Sequence, residues 1–195
     1  PVKDAAWGRM PLDAFVLAKL EAENLQPSPP ASPAEWLRRV SLDLTGLPPS
    51  PEEWAAFKSA FAAEANTARA QAVDRLLASP QFGERWGRHW LDVARYGEDD
   101  YRSLDPMQRG MNPYPNAYLY RDWVIKAFND NLPLDQFIIQ QLAGDLLPNA
   151  TRDQKLATAF NRVHRKTNEG GSVPEEYRQE GIADRVHTVG TAFMA

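Results

Sequence analysis

Residues 32–57 read SPAEWLRRVSLDLTGLPPSPEEWAAF, and within this stretch one device occurs twice. Ser32-Pro33-Ala34-Glu35 and Ser50-Pro51-Glu52-Glu53 each place a serine three residues before a glutamate, with proline in between. A serine oxygen accepts an orphan amide of a first helical turn, the glutamate reaches back to the serine amide, and proline is tolerated where an amide would lack a partner. Behind the first box Trp36, Leu37, Val40 and Leu44 recur at helical spacing, and behind the second Trp54, Phe57 and Phe61 do the same. Gly46-Leu47-Pro48-Pro49 lies between them as a stop. Two capped helices joined by a Pro-rich connection are the pattern on which the rest of the chain is read.

Upstream, Pro11 suits a first helical turn, and Leu12, Phe15, Val16 and Leu20 share a face before the break at Pro27-Ser28-Pro29-Pro30. Downstream, helices are expected at about 68–78, 80–96, 117–129, 134–143, 152–161 and 174–193, with an irregular loop from Gly97 to Pro115. The last helix is expected to open with a capping box at Ser172-Val173-Pro174-Glu175, and the Ala-rich positions 60–72 read as helix, linker, helix. No run of β-branched or aromatic residues alternates between turn signals as a strand requires. The Ser-Pro starts are unequally spaced, which excludes a fixed-period array. The expected class is all-α: an irregular multi-helix domain of about eight helices with Pro-rich connections, forming one domain over residues 1–195. The apolar end Ala192-Phe193-Met194-Ala195 carries no stop signal, so a piece of a longer protein is expected.

Composition narrows the function classes. Twenty-two Lys and Arg stand against 26 Asp and Glu, a formal net charge of -4, without the clustered positive charge that a grip on nucleic acid needs. No stretch approaches the apolar length of a membrane helix, and Pro1 to Trp7 is not a charged-then-apolar leader. The chain has no Cys, which removes disulfides, thiolate metal sites, a thiol nucleophile and thioether-linked haem from these residues.

Candidate functional residues fall in three places. In Gly83 to Gly97, GERWGRHWLDVARYG, a helical wheel groups Phe82, Trp86, His89 and Val93 with Trp90 at the edge, so His89 is expected to face the core with Arg85 and Asp92 on its flanks. Such a histidine is either a satisfied structural group or a ligand or proton-transfer residue. In His164 to Gly171, HRKTNEGG, Gly170 and Gly171 suit a positive-φ turn leading into a helix start, and with Asn168 they form a candidate anion loop or a purely structural one. In the 97–115 loop, Asp99 and Asp100 are weak candidates for a cation, because the alternating register of a calcium loop is missing. His187 is expected to be solvated, beside Glu180 and Asp184 and opposite Ile182, Val186, Val189 and Phe193.

Several long motifs carry a family resemblance: RRVSLDLTGLPPSPEE, GERWGRHWLDVARYGE, NAYLYRDWVIKAFN, QLAGDLLP, TNEGG and PEEYRQEGIADRVHTVGTAF. Together they resemble DUF1549, the planctomycete-type, cytochrome-C-associated domain of unknown function, over almost the whole chain. The resemblance implies an exported, periplasmic or cell-surface parent protein with a second uncharacterised domain downstream. It also implies a C-x-x-C-H haem-attachment segment just beyond the stretch matching Asp184 to Phe193. No haem is expected to be held covalently by this chain, but c-type haem is expected in the parent. His89 and His164 are then candidate distal ligands or haem-contact residues, with Met194 a sulfur ligand by type only. Three readings remain open: a non-catalytic domain packing on that haem segment in electron transfer, an enzyme on a cell-surface polymer using the acidic loop and the His164 region, and a binding or scaffold module.

Overall fold

Both Ser-Pro devices form as capping boxes in the computed structural model, which describes residues 2–4, 6–8, 10–98, 114–164, 171 and 173–194. The Glu53 amide donates to Ser50 Oγ at 3.2 Å while the Ser50 amide donates to Glu53 Oε2 at 2.8 Å. The Ser32 and Glu35 amides exchange the same bonds at 2.9 and 3.3 Å. Thr151 and Gln154 form a further box, at 2.8 and 3.2 Å, that the sequence reading passed over. The box expected at Ser172 is corrected: proline at the first helical position makes the residue just before it the cap, and here that residue is Val173, which makes no side-chain bond. Ser172 itself lies outside the described residues.

Among the described residues there are nine α-helices and no strand, as expected of an all-α chain. They are α1 (Asp13–Ala22), α2 (Pro33–Thr45), α3 (Pro51–Ala63), α4 (Ala65–Leu77), α5 (Pro80–Val93), α6 (Tyr118–Asn129), α7 (Leu134–Ala143), α8 (Arg152–Ala157) and α9 (Pro174–Phe193). Short 3-10 turns at Gly144–Leu146 and Thr158–Arg162 follow α7 and α8. The expected linker in the Ala-rich segment is the single residue Glu64, whose carboxylate accepts the amides of Asn66 and Thr67 and so caps α4.

The chain divides into two compact units, Pro1–Trp36 and Leu37–Ala195. In the first, α1 buries Leu17, whereas Leu12, Phe15 and Val16 are more than half exposed, so the expected apolar face is not the buried one. A unit this small has little interior to offer a helix that is apolar on several sides.

In the second unit, α3 and α4 pack on each other through Phe57, Ala68, Ala72 and Leu76, with the Arg69 guanidinium 5.0 Å from the Phe61 ring and Arg75 paired to Glu53. Among the described residues the most extensive helix-on-helix packing is that of α5 with α6. It corrects the expected orientation of α5: the buried residues are Gly83, Gly87, Leu91 and Ala94, while His89 is exposed along with Trp86 and Val93. Close approach decides this. A Cβ at Gly83 would stand 2.5 Å from the Ile125 carbonyl oxygen, and the Gly83 amide donates to Asn129 Oδ1 at 2.8 Å. A bulky stripe on that face would hold α6 away and forfeit the contacts along the whole pair. Only Trp90 of the expected stripe turns inward enough to reach the core.

That core joins Leu91, Ala94, Tyr120, Trp123, Val124, Ala127, Phe137, Ala157 and Phe160. Its aromatic rings pack in edge-on and stacked pairs, with Trp90 4.9 Å from Phe137 and Trp123 5.5 Å from Phe137. Gln141, wholly buried, accepts from Trp90 Nε1 at 2.9 Å and from the Tyr120 hydroxyl at 2.6 Å, and donates to the Phe137 carbonyl at 3.2 Å. The polar atoms of this interior are thereby satisfied without water. On α9, Val189 and Phe193 join the core as expected, but Ile182 and Val186 are exposed and the inward positions are Gly181 and Thr188.

Candidate functional site

Helix α5 ends in an unusual way. The Tyr96 amide bonds back to the Leu91 carbonyl at 2.9 Å, and Arg95 between them sits at φ 57. The same closure, with the pivot residue left-handed, ends α1 at Asn24 and α6 at Asn131. Asparagine adopts this conformation at small cost, and arginine pays about 1 kcal/mol or more for it. Among the described non-glycine residues with positive φ, Arg95 alone is not asparagine.

The surroundings hold Arg95 there. Its guanidinium makes two bonds to Asp184, at 2.6 and 2.9 Å, and a third to the Thr188 hydroxyl. Asp184 was expected on the solvated side of α9, but its side chain is mostly buried against this pair. The clamp fixes α9 antiparallel to α5: Asp184 and Thr188 meet the end of α5, and Phe193 lies 5.5 Å from Trp90 further back along it.

Beside the clamp lies a cleft of about 550 Å³. Its apolar side is Leu119, Leu156, Ala159 and Val163, and its rim carries Arg95, Arg162 and His164. Tyr96 and Tyr120 add aromatic surface. Burial pushes both phenols well above the ordinary tyrosine value, and for Tyr96 the bond to Glu98 at 2.9 Å pushes the same way. Glu98 in turn pairs with Arg121. Asn116, a second left-handed residue, also lines the cleft. A backbone conformation as costly as that of Arg95 persists only where surrounding contacts over-determine it, and such positions collect at functional sites. A hollow of about 310 Å³ in the first unit is less eventful: Asp4 and Asp13 on its wall accept the backbone amides of Ala6 and Met10.

The structure separates the sequence candidates. His164 is half-buried on the cleft rim, its Nδ1 3.6 Å from where a Cβ of Gly181 would stand. His89 lies on the outer face of α5, edge-on to Trp86 with ring centres 5.5 Å apart. The expected flanking contact from Arg85 goes elsewhere, since its side chain lies against Gly46. Gly171 has φ 90, the conformation expected of the glycine pair, while Asn168, Gly170, Asp99 and Asp100 lie outside the described residues. His187 is exposed, as is Met194. Sequence reasoning missed Arg95, Tyr96 and Arg162. Arg95 occupies the position after a helix end where glycine or asparagine is usual, and nothing in the local sequence flags Arg162.

Among the described residues no group of three or more His, Cys, Asp or Glu could hold a metal ion, and no helix is long and apolar enough to cross a membrane. No curated protein and no solved structure is significantly similar to the chain. The family described as PSCyt2, protein of unknown function (DUF1549), matches residues 11–195, a span that includes α5, the cleft and α9. The chain therefore belongs to the DUF1549 (PSCyt2) family.

Proposed function

We propose that the chain is a non-catalytic helical domain of an exported, c-type-haem-associated redox protein, and that it offers the outer face of α5 to a haem segment following α9. The antiparallel course of α9 carries this reading. From the clamp at Arg95 the helix runs back along α5 to Phe193 against Trp90, so its C-terminal end points toward the turn that bears Trp86 and His89. His164 is less well placed, because it touches Gly181, roughly three turns before that end.

The residues fit a haem edge. His89 presents an exposed imidazole, and Trp86 and Val93, 38% and 43% exposed, provide apolar surface beside it. A c-type haem supplies one-electron transfer when bound. The chain's own part is to offer one imidazole at a set position and to shield the adjacent edge from water.

The test is a spectroscopic titration of the full chain with a haem-bearing C-x-x-C-H peptide. Binding with a change to a low-spin Soret spectrum is expected, lost in His89→Ala and kept in His164→Ala. An unchanged spectrum, or a change that survives His89→Ala, overturns the reading.

A further inference from the structure

The cleft beside His164 is separate from the outer face of α5, and its chemistry is specific enough to name a ligand class. Charge bookkeeping is the first step. Arg95 is neutralised by Asp184, and Arg121 by Glu98. Arg162, on the rim at the end of the Thr158–Arg162 turn, makes no ion pair or side-chain hydrogen bond among the described residues. Among the described residues, one arginine thus lines the cleft without an acidic partner.

The walls supply the rest. Leu119, Leu156, Ala159 and Val163 are apolar. The hydroxyl protons of Tyr96 and Tyr120 are already given to Glu98 and Gln141, so these residues offer ring surface rather than donors. A volume of about 550 Å³ is in the range of small-molecule sites, and a mostly apolar lining with few polar groups is how such sites combine affinity with orientation. The strained Arg95 among its lining residues is held in place by surrounding contacts at a cost in stability.

We propose that the cleft binds a small monocarboxylate with a ring-sized apolar body, its carboxylate on Arg162 beside His164 and its body against Leu119, Leu156 and the tyrosine rings. Arginine is suited to this because its planar fork matches a carboxylate with two bonds.

Calorimetric titration of the full chain with naphthalene-1-acetate and its neutral amide, naphthalene-1-acetamide, tests the assignment. The carboxylate is expected to bind saturably and about tenfold or more tighter than the amide. Arg162→Ala removes that preference and leaves the amide unaffected, Arg162→Lys restores part of it, and Leu156→Ala weakens both compounds. His89→Ala leaves cleft binding unchanged, which separates this site from the haem face. Equal binding of acid and amide, a wild-type preference in Arg162→Ala, or no saturable heat at millimolar ligand each overturns the proposal. Arg162 is exposed, so its variants leave the core intact, and circular dichroism checks that they are folded.

Discussion

A Cβ added at position 83 would meet the Ile125 carbonyl oxygen at 2.5 Å, whereas one at position 87 would meet Ile125 Cγ1 at 3.3 Å. The first contact is with backbone, which cannot step aside; the second is with a side chain, which can. Alanine gains about 1 kcal/mol of helix propensity over glycine at either site. Gly83→Ala is therefore expected to cost about 2 kcal/mol net, after an overpacking penalty near the top of the usual range, and Gly87→Ala to fall within about 1 kcal/mol of wild type. Urea denaturation of both variants measures the difference. Gln141 offers a second residue-scale test. Gln141→Leu leaves the buried Tyr120 hydroxyl without its acceptor, at about 1–3 kcal/mol, while Trp90 Nε1 keeps the Tyr120 oxygen at 3.1 Å. Adding Tyr120→Phe removes the orphan hydroxyl but also takes away the second acceptor of Trp90 Nε1, so the double variant still holds one unpaired donor and is expected to be no more stable than Gln141→Leu in a denaturation cycle.

Helix ends carry the next level of organisation. The clamp from Arg95 to Asp184 is partly exposed on the arginine side, so its contribution after solvent screening is about 1 kcal/mol. Arg95→Ala loses the clamp and keeps the left-handed backbone. Arg95→Gly loses the same clamp but regains about 1 kcal/mol because glycine pays nothing for φ 57. The glycine variant is expected to be the more stable of the two by about that amount, with α9 amides exchanging faster than wild type in both; equal stabilities would show that position 95 is unstrained. At the other end of an element, Ser50→Ala removes the acceptor for the Glu53 amide and is expected to cost about 1 kcal/mol by the same denaturation assay. These boxes were legible in the sequence because a cap is a local structure, complete within four residues. The direction of α5 was not, because its docking face is chosen by the backbone of α6, some 40 positions away in sequence.

At the scale of the whole molecule, the phenols of half-buried Tyr96 and buried Tyr120 set a pH limit. Tyr96 and Tyr120 hold their protons above the ordinary value of 10.0 in the folded chain, chiefly because burial disfavours the phenolate. The unfolded chain releases those protons near pH 10, so the stability they contribute is complete below that pH and is lost as pH rises toward their folded values. Thermal melts are expected to show stability falling above pH 10, less steeply in Tyr96→Phe with Tyr120→Phe, and the phenolate absorbance of these two residues, read as the difference between the wild-type chain and that double variant, should appear only as the chain unfolds. The same scale separates what was legible from what was not. Helix boundaries, Pro-rich connections and the all-α class follow from capping, proline geometry and periodicity, each of which acts over a few residues. Family membership follows from long ordered motifs such as GERWGRHWLDVARYGE and is shown by the match over residues 11–195. The sequence alone therefore determined the elements and most of their ends, the capped starts of α8 and α9 excepted. Tertiary structure decided which faces meet, that His89 is outward and Asp184 inward, and that Arg95, Arg162 and His164 share one cleft. The reason is physical: packing rewards the closest backbone approach, and Gly83 and Gly87 make that approach possible on the face that side-chain hydrophobicity does not mark.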